Sequence, residues 1–134
     1  MFYKTIILFL LLFFILDGCD NPSEQNSSKL LISFKNNSAY QLNNLIVADK
    51  RIGNLPISFS SRYTGFEDFR FDTGLPDENA SAEINGKVFT NYSRRYWCGT
   101  EKITITSGKY LITIEVVDTM LFLSCEDGPT IDYP

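Results

Sequence analysis

The chain has 134 residues, of which 12 are basic and 16 acidic, and its net charge is −4. This length suits one domain with a core of moderate size, and the acidic balance argues against nucleic-acid binding, which needs a strong basic excess. Histidine is absent, which excludes Ser-His-Asp and Cys-His nucleophile systems and histidine-ligated zinc. We expect no enzyme, no cofactor and no metal centre, and the absence of histidine leaves carboxylates as the chemical option to be weighed below.

The N-terminal stretch has the features of an export signal. Lys4 supplies a positive charge, and residues 6–16 form an unbroken apolar run. The run has about half of the roughly 20 residues that a membrane-spanning helix needs. A charged start, a short apolar core and a small residue before a cleavage site predict a secretory signal rather than a membrane span.

The residues that follow, Leu16-Asp17-Gly18-Cys19, resemble the lipobox of bacterial lipoproteins. The resemblance implies that residues 1–18 are removed as a signal peptide and that Cys19 carries a diacylglycerol, often with a further acyl chain. Two or three acyl chains hold a protein firmly on a membrane. Asp17 departs from the family pattern, which prefers a small or apolar residue there, and it predicts less efficient cleavage. The alternative is an ordinary secretory signal with an incidental cysteine.

Residues 19–29 contain the cysteine and then a polar stretch, which predicts a disordered tether to a single domain at residues 30–134. Asp20 resembles the inner-membrane retention signal of some Gram-negative lipoproteins. In other groups, acidic residues soon after the cysteine accompany export to the cell surface. Both remain open. We expect a Gram-negative envelope lipoprotein on the outer membrane rather than the inner one, with its domain in the periplasm or at the cell surface.

The first part of the domain predicts short β-strands. Residues 30–35 and 40–49 predict two strands, the second with a bulge at Asn43-Asn44, and residues 50–56 predict a loop. In residues 57–63, apolar and aromatic side chains alternate with polar ones, which predicts a half-buried strand with one aromatic face.

The second part predicts a loop and further strands. Alternation resumes in residues 66–72 and is followed by a loop at residues 73–79. Asn85-Gly86 at the centre of residues 80–92 predicts a tight hairpin, because both central residues of a type I′ turn need a positive φ. Three more strands are predicted, and they lie at residues 102–106, 109–118 and 120–125.

These patterns predict an all-β domain. Short strands separated by turn signals favour an antiparallel β-sandwich of about seven to nine strands. The phrase Gly108-Lys109-Tyr110, followed by alternating Ile112 and Ile114, resembles a late strand of immunoglobulin-like or transthyretin-like domains. The mature part as a whole also resembles the small Gram-negative lipoproteins with an uncharacterised sandwich domain, a likeness that implies no activity.

Three cysteines are present. Once Cys19 carries lipid, Cys98 and Cys125 remain as an even pair in an exported protein, and oxidising compartments favour a disulfide between them. A loop of this length would stabilise the fold by roughly 3.5 kcal/mol on the chain-entropy model. The alternatives are two buried free thiols or a weak metal pair.

The strongest candidate binding site is the run Arg94-Arg95-Tyr96-Trp97. Its aromatic rings and guanidinium groups could stack on a sugar, grip a carboxylate or pack on a protein partner. The alternative is that Trp97 closes one end of the core while the arginines are solvated.

Carboxylates are the remaining chemical option. Two facing acids could perform hydrolysis, but the spacing of the acidic residues selects no pair. The loop from Asp72 to Asn79 carries hard oxygen ligands for calcium, although it lacks the EF-hand pattern. We favour a lipid-anchored, non-catalytic β-sandwich that binds a protein or another envelope component. A glycan-binding module is the alternative, and a carboxylate hydrolase comes last.

Overall fold

The computed structural model describes residues 29–91 and 102–129. In these ranges the chain forms eleven β-strands and no helix, so nothing in them could cross a membrane as a helix. The strands are β1 (Leu30–Asn36), β2 (Leu42–Val47), β3 (Lys50–Leu55), β4 (Thr64–Phe66), β5 (Phe69–Asp72), β6 (Leu75–Pro76), β7 (Ala80–Ile84), β8 (Lys87–Asn91), β9 (Lys102–Ile105), β10 (Gly108–Val117) and β11 (Met120–Ser124).

The strands form two sheets. Eight of them build one sheet in the order β3-β2-β7-β8-β11-β10-β1-β4, and the other three build a small antiparallel sheet in the order β6-β5-β9. In the large sheet β1 pairs with β10 and β8 pairs with β11 in parallel, while the other neighbours are antiparallel. The large sheet is nearly closed on itself. Its two edge strands are joined by the Lys50 ammonium group of β3, which donates a hydrogen bond to the Gly65 carbonyl of β4.

Two hairpins turn through backbone with positive φ at both central residues. Asn85 and Gly86 have φ values of 48° and 77° between β7 and β8, so the predicted Asn-Gly hairpin is confirmed. Ala48 and Asp49 have φ values of 47° and 62° between β2 and β3. Alanine has no side-chain group that favours this conformation. Asp49 adopts a positive φ more readily than alanine does, but the pair lacks the glycine that marked the first hairpin, and the second one was not predicted.

The core takes side chains from both sheets, and its buried members include Phe34, Phe66, Phe69 and Phe71. Ring centroids separated by 5.6 to 6.2 Å connect Phe34 of β1, Phe66 of β4, Phe69 and Phe71 of β5, and Tyr110 of β10. Edge-to-face and tilted pairs at such distances are favourable beyond the area they bury. The small sheet therefore covers one end of the large one through β5, and the two sheets share one core.

The all-β class is confirmed, and the finer prediction differs from the structure. We expected seven to nine antiparallel strands, whereas the described residues form eleven strands with two parallel pairs. Alternation of polar and apolar residues reports which face of a strand is buried, but not the direction of its neighbour. The first strand, β1, pairs in parallel with the late strand β10 over its whole length.

Individual strands show where the pattern succeeded and failed. The bulge in β2 is confirmed, because Asn44 has a φ of 49° and the register shifts between Leu42 and Leu45. The loop predicted at residues 50–56 is wrong, since β3 covers most of it. The buried aromatic face predicted for residues 57–63 is also wrong, because its large apolar side chains are exposed.

Candidate functional site

One fully buried polar side chain, Asn36 at the end of β1, organises one end of the molecule. Its Nδ2 donates hydrogen bonds to the carbonyl oxygens of Tyr40, at 2.8 Å, and Leu55, at 2.9 Å. Its Oδ1 accepts from the backbone N–H and the hydroxyl of Ser38, at 3.0 and 2.7 Å. The Asn36 side chain therefore makes all four hydrogen bonds, two donated and two accepted, that a neutral amide can form.

The backbone of Asn36 binds a further segment. Its N–H donates to the carbonyl of Phe59, and its carbonyl accepts from the N–H of Ser58, both at 2.9 Å. Ser58 has a φ of 65°, so the chain bends sharply there. Asn36 thus joins the β1–β2 loop, the end of β3 and the segment that follows β3.

These segments carry large apolar side chains that face solvent. The exposed fractions are 45% for Tyr40, 48% for Ile57 and 64% for Phe59. Leu42 pairs with Leu55 where β2 begins and β3 ends, and Tyr40 and Ile57 lie just beyond these two residues. Exposed apolar groups on backbone that is held by buried hydrogen bonds are typical of an interaction surface rather than of a frayed loop.

The same segment continues along β1 as an irregular edge. Ser60 forms an isolated bridge with Lys35. Ser61 donates its N–H to the Phe34 carbonyl, at 2.8 Å, and its hydroxyl accepts from the Phe34 N–H, at 2.9 Å. Tyr63 follows with an exposed fraction of 46%, and the Lys109 ammonium group lies 4.2 Å from the centre of its ring. That geometry is a cation–π contact.

Basic side chains accompany these apolar ones. Lys35 is half-buried on β1, and Arg62 and Lys109 are exposed. We call this surface the aromatic–basic strip, and its members are Tyr40, Ile57, Phe59, Tyr63, Lys35, Arg62 and Lys109. The carboxylate of Glu115 lies near its Asn36 end, where one oxygen accepts a hydrogen bond from Asn37 Nδ2 at 2.8 Å.

A cavity of about 470 Å³ lies elsewhere, at the junction of the edge strands β3 and β4. Lys50 forms part of its lining, and its ammonium group lies 5.0 Å from the centre of the Phe66 ring. Exposed carboxylates of Asp49, Glu67 and Asp68 also line it. The cavity has the size of a small-molecule site, but its lining is charged and well solvated, so it offers little apolar surface to a ligand.

Two charged side chains that line the cavity, those of Arg70 and Glu78, bind each other. Arg70 donates from Nε and Nη2 to the two carboxylate oxygens of Glu78, at 3.0 and 2.9 Å, and its backbone N–H also donates to Glu78, at 3.0 Å. The hydrogen bond and the opposite charge of Glu78 raise the pKa of Arg70 above its usual value. This pair joins β5 to the segment before β7, so its two charges are already used in binding each other.

The loop considered for calcium does not gather its oxygen ligands. Glu78 binds Arg70, and Asp77 lies 3.9 Å from the Lys102 ammonium group. Asp72 is fully buried, its Oδ1 accepts a hydrogen bond from the Thr73 hydroxyl at 3.3 Å, and its Oδ2 has no partner among the described residues. Within residues 29–91 and 102–129, no three acidic or cysteine side chains stand in a metal-binding arrangement.

Most of the predicted site residues lie outside the described residues. These are the lipidation residue Cys19, the binding candidates Arg94, Arg95, Tyr96 and Trp97, and Cys98 of the expected disulfide. Cys125 is described and follows β11, where its thiol is half-buried. Burial raises the pKa of the Cys125 thiol. The disulfide, the lipid and the binding run therefore stay predictions.

Comparison with known proteins gives no relative. No protein-family model, curated protein or solved structure matches this chain. Its functional interpretation therefore depends on its own residues.

Sequence reasoning missed the aromatic–basic strip. The alternation of Ile57, Phe59 and Tyr63 with polar residues predicted a buried face, and nothing in that pattern distinguishes a buried aromatic face from an exposed one. The role of Asn36 was also missed, because Asn-Asn-Ser predicts a turn and does not show which asparagine is buried.

Proposed function

We propose that this protein is a bacterial lipoprotein of the Gram-negative envelope, in which Cys19 carries the lipid and a non-catalytic β domain binds a protein or another envelope component. The observation that carries the proposal is the lipobox-like sequence ending at Cys19, followed by a short polar stretch and then by a folded domain that begins at Leu30. Attachment to the outer membrane rather than the inner one is part of the proposal.

The exposed apolar side chains of the strip support a binding role. Monomeric proteins rarely leave contiguous apolar surface in water unless it serves an interaction. The buried hydrogen bonds of Asn36 support the same role, because a surface fixed before binding loses little conformational entropy when it binds.

The proposal also includes the type of β domain and a disulfide. The core shared by the two sheets supports a domain derived from a two-layer sandwich, of immunoglobulin-like or transthyretin-like type. The half-buried thiol of Cys125, in an exported protein with one other unlipidated cysteine, supports a Cys98–Cys125 disulfide.

The lipid anchor is tested by labelling cells with an azide-bearing fatty acid and comparing the wild-type chain with Cys19→Ser and Cys125→Ser. We expect label on the wild-type chain and on Cys125→Ser, both starting at residue 19. We expect Cys19→Ser to be unlabelled and to keep its signal. An unlabelled wild-type chain, or label that persists in Cys19→Ser, contradicts the proposal.

A further inference from the structure

We propose that the aromatic–basic strip docks the domain onto a lipid surface with anionic headgroups. The inference rests on the proposed lipid anchor, and it identifies the envelope component that this surface binds. Its members, as defined above, are four large apolar side chains and three basic ones, and they lie on β1, at the start of β10, in the β1–β2 loop and in the segment that is hydrogen-bonded to β1.

The chemistry of the strip is that of a membrane interface. Tyrosine is enriched at the headgroup level, because its ring is apolar and its hydroxyl is polar. Phe59 and Ile57 offer apolar groups that can enter the boundary between headgroups and acyl chains. Lys and Arg near such groups add attraction to anionic lipids.

The charge distribution favours an anionic surface. The chain as a whole carries a net charge of −4, yet the strip contributes three positive charges from Lys35, Arg62 and Lys109. The carboxylate near the strip is that of Glu115, which keeps its charge while it accepts a hydrogen bond from the Asn37 amide. Three other exposed carboxylates, those of Asp49, Glu67 and Asp68, lie at the cavity. Anionic lipids therefore attract the strip more strongly than they attract the opposite parts of the molecule.

Lys29, where the described domain begins, lies close enough to the strip for a lipid on Cys19 to bring the strip to the membrane. The Gly108 N–H donates to the Lys29 carbonyl at 2.9 Å, so Lys29 lies beside the start of β10, near Lys109, which pairs with Leu31 at one end of the strip. From there β1 advances by roughly 20 Å to the end of the strip at Asn36. Residues 20–28 reach roughly 30 Å when extended. A lipid on Cys19 thus allows the whole strip to lie on the membrane that holds it.

The strip is also rigid enough to act as one surface. The backbone of its two ends is fixed by Asn36 at one end and by the pairing of Thr64 with Ile32 next to Tyr63 at the other. Docking therefore requires little ordering of the chain, which favours binding.

The test uses the acylated chain purified from membranes and reconstituted into vesicles. Hydrogen exchange of peptides that cover residues 56–63 is compared in vesicles of phosphatidylcholine alone and in vesicles with about one third phosphatidylglycerol. We expect exchange of this segment to slow in the anionic vesicles, while residues 80–91 exchange equally in both. Each basic side chain near an anionic surface strengthens binding by about five-fold.

Two double variants make the comparison specific. Phe59→Ser with Arg62→Glu removes one apolar group and reverses one charge in the strip. Lys87→Glu with Val88→Ser makes matched changes on β8, where Val88 has an exposed fraction of 74%. We expect the first variant to lose the protection in anionic vesicles and the second to keep it. Unchanged circular dichroism in both shows that neither is misfolded.

Several results would overturn the inference. One is equal exchange of residues 56–63 in both vesicle types when mass spectrometry confirms the acyl chains. Another is protection that appears only in native envelope membranes and never in pure lipid, which would point to a protein partner instead. By contrast, a chain that carries no lipid but still sediments with anionic vesicles, and not with neutral ones, would support the docking surface and refute only the proposed anchor.

Discussion

The clearest prediction concerns Asn36, whose side chain makes four hydrogen bonds from a fully buried position. Asn36→Ala leaves the buried Leu55 carbonyl without its partner, which costs about 1 to 3 kcal/mol. The other three bonds are partly accessible to water, and their loss adds a few tenths to about 1 kcal/mol each. We therefore expect the free energy of unfolding to fall by about 3 kcal/mol, and Tm to fall by roughly 12 °C or more.

The assay is urea unfolding followed by circular dichroism, with Asn37→Ala as the matched control. Asn37 makes one exposed side-chain hydrogen bond, to Glu115, so its loss is expected to change stability by less than about 0.5 kcal/mol. If Asn36→Ala and Asn37→Ala destabilise the protein equally, Asn36 does not organise this end of the molecule.

A second substitution, Asn36→Asp, makes the loss of stability depend on pH. It replaces the donating amide with an oxygen beside the Tyr40 and Leu55 carbonyls, and burial raises the pKa of such a carboxyl in the folded state. The free-energy cost of burying a negative charge is therefore absent below the unfolded pKa of about 3.9, where the carboxyl is neutral in both states. This cost grows as the pH rises above that value. We expect Asn36→Asp to be less stable than Asn36→Ala at pH 7 and to recover in acid. A destabilisation that does not depend on pH would refute this account.

Three other predictions follow from packing and exposure. Gly108→Ala should destabilise the fold by about 2 kcal/mol or more, because its φ is 106° and an added Cβ would lie 2.8 Å from the Tyr110 ring. Gly53→Ala, at φ 101° with open space around the added Cβ, should cost about 1 kcal/mol in urea unfolding. Equal losses of stability in the two variants would show that the contact with the Tyr110 ring contributes nothing. In reductant, the raised pKa of Cys125 should make the free energy of unfolding fall as the pH rises above the usual thiol pKa of about 8.5. A Cys125→Ser variant that keeps the same dependence of stability on pH would show that Cys125 does not cause it. Phe59→Ser should change Tm by less than about 3 °C, because the ring is mostly exposed, and a larger loss in a thermal melt would show that Phe59 belongs to the core.

Local signals predicted much of the chain correctly. Asn85-Gly86 predicted its hairpin because glycine and asparagine adopt positive φ at low cost. The alternation of Ile112 and Ile114 predicted the buried face of β10, and both are fully buried. The all-β class followed from the same patterns.

Features that depend on distant contacts could not be predicted. The parallel pairing of β1 with β10 joins strands from the two ends of the domain, and no local pattern records it. Residues 57–63 alternate as a half-buried strand would, yet Phe59 and Tyr63 are exposed, since alternation does not record whether another element packs over that face. Asn36 organises one end of the molecule through hydrogen bonds to partners as distant as Leu55 and Phe59.

The most direct test of the central claim is the intact mass of the native chain extracted from membranes, measured with and without thiol alkylation. The account predicts a chain that begins at Cys19, carries added acyl mass and takes up alkylating reagent only after reduction, because Cys98 and Cys125 are joined. An unacylated chain would contradict the lipid anchor and remove the main support for a membrane-held domain. Alkylation before reduction would contradict the disulfide alone.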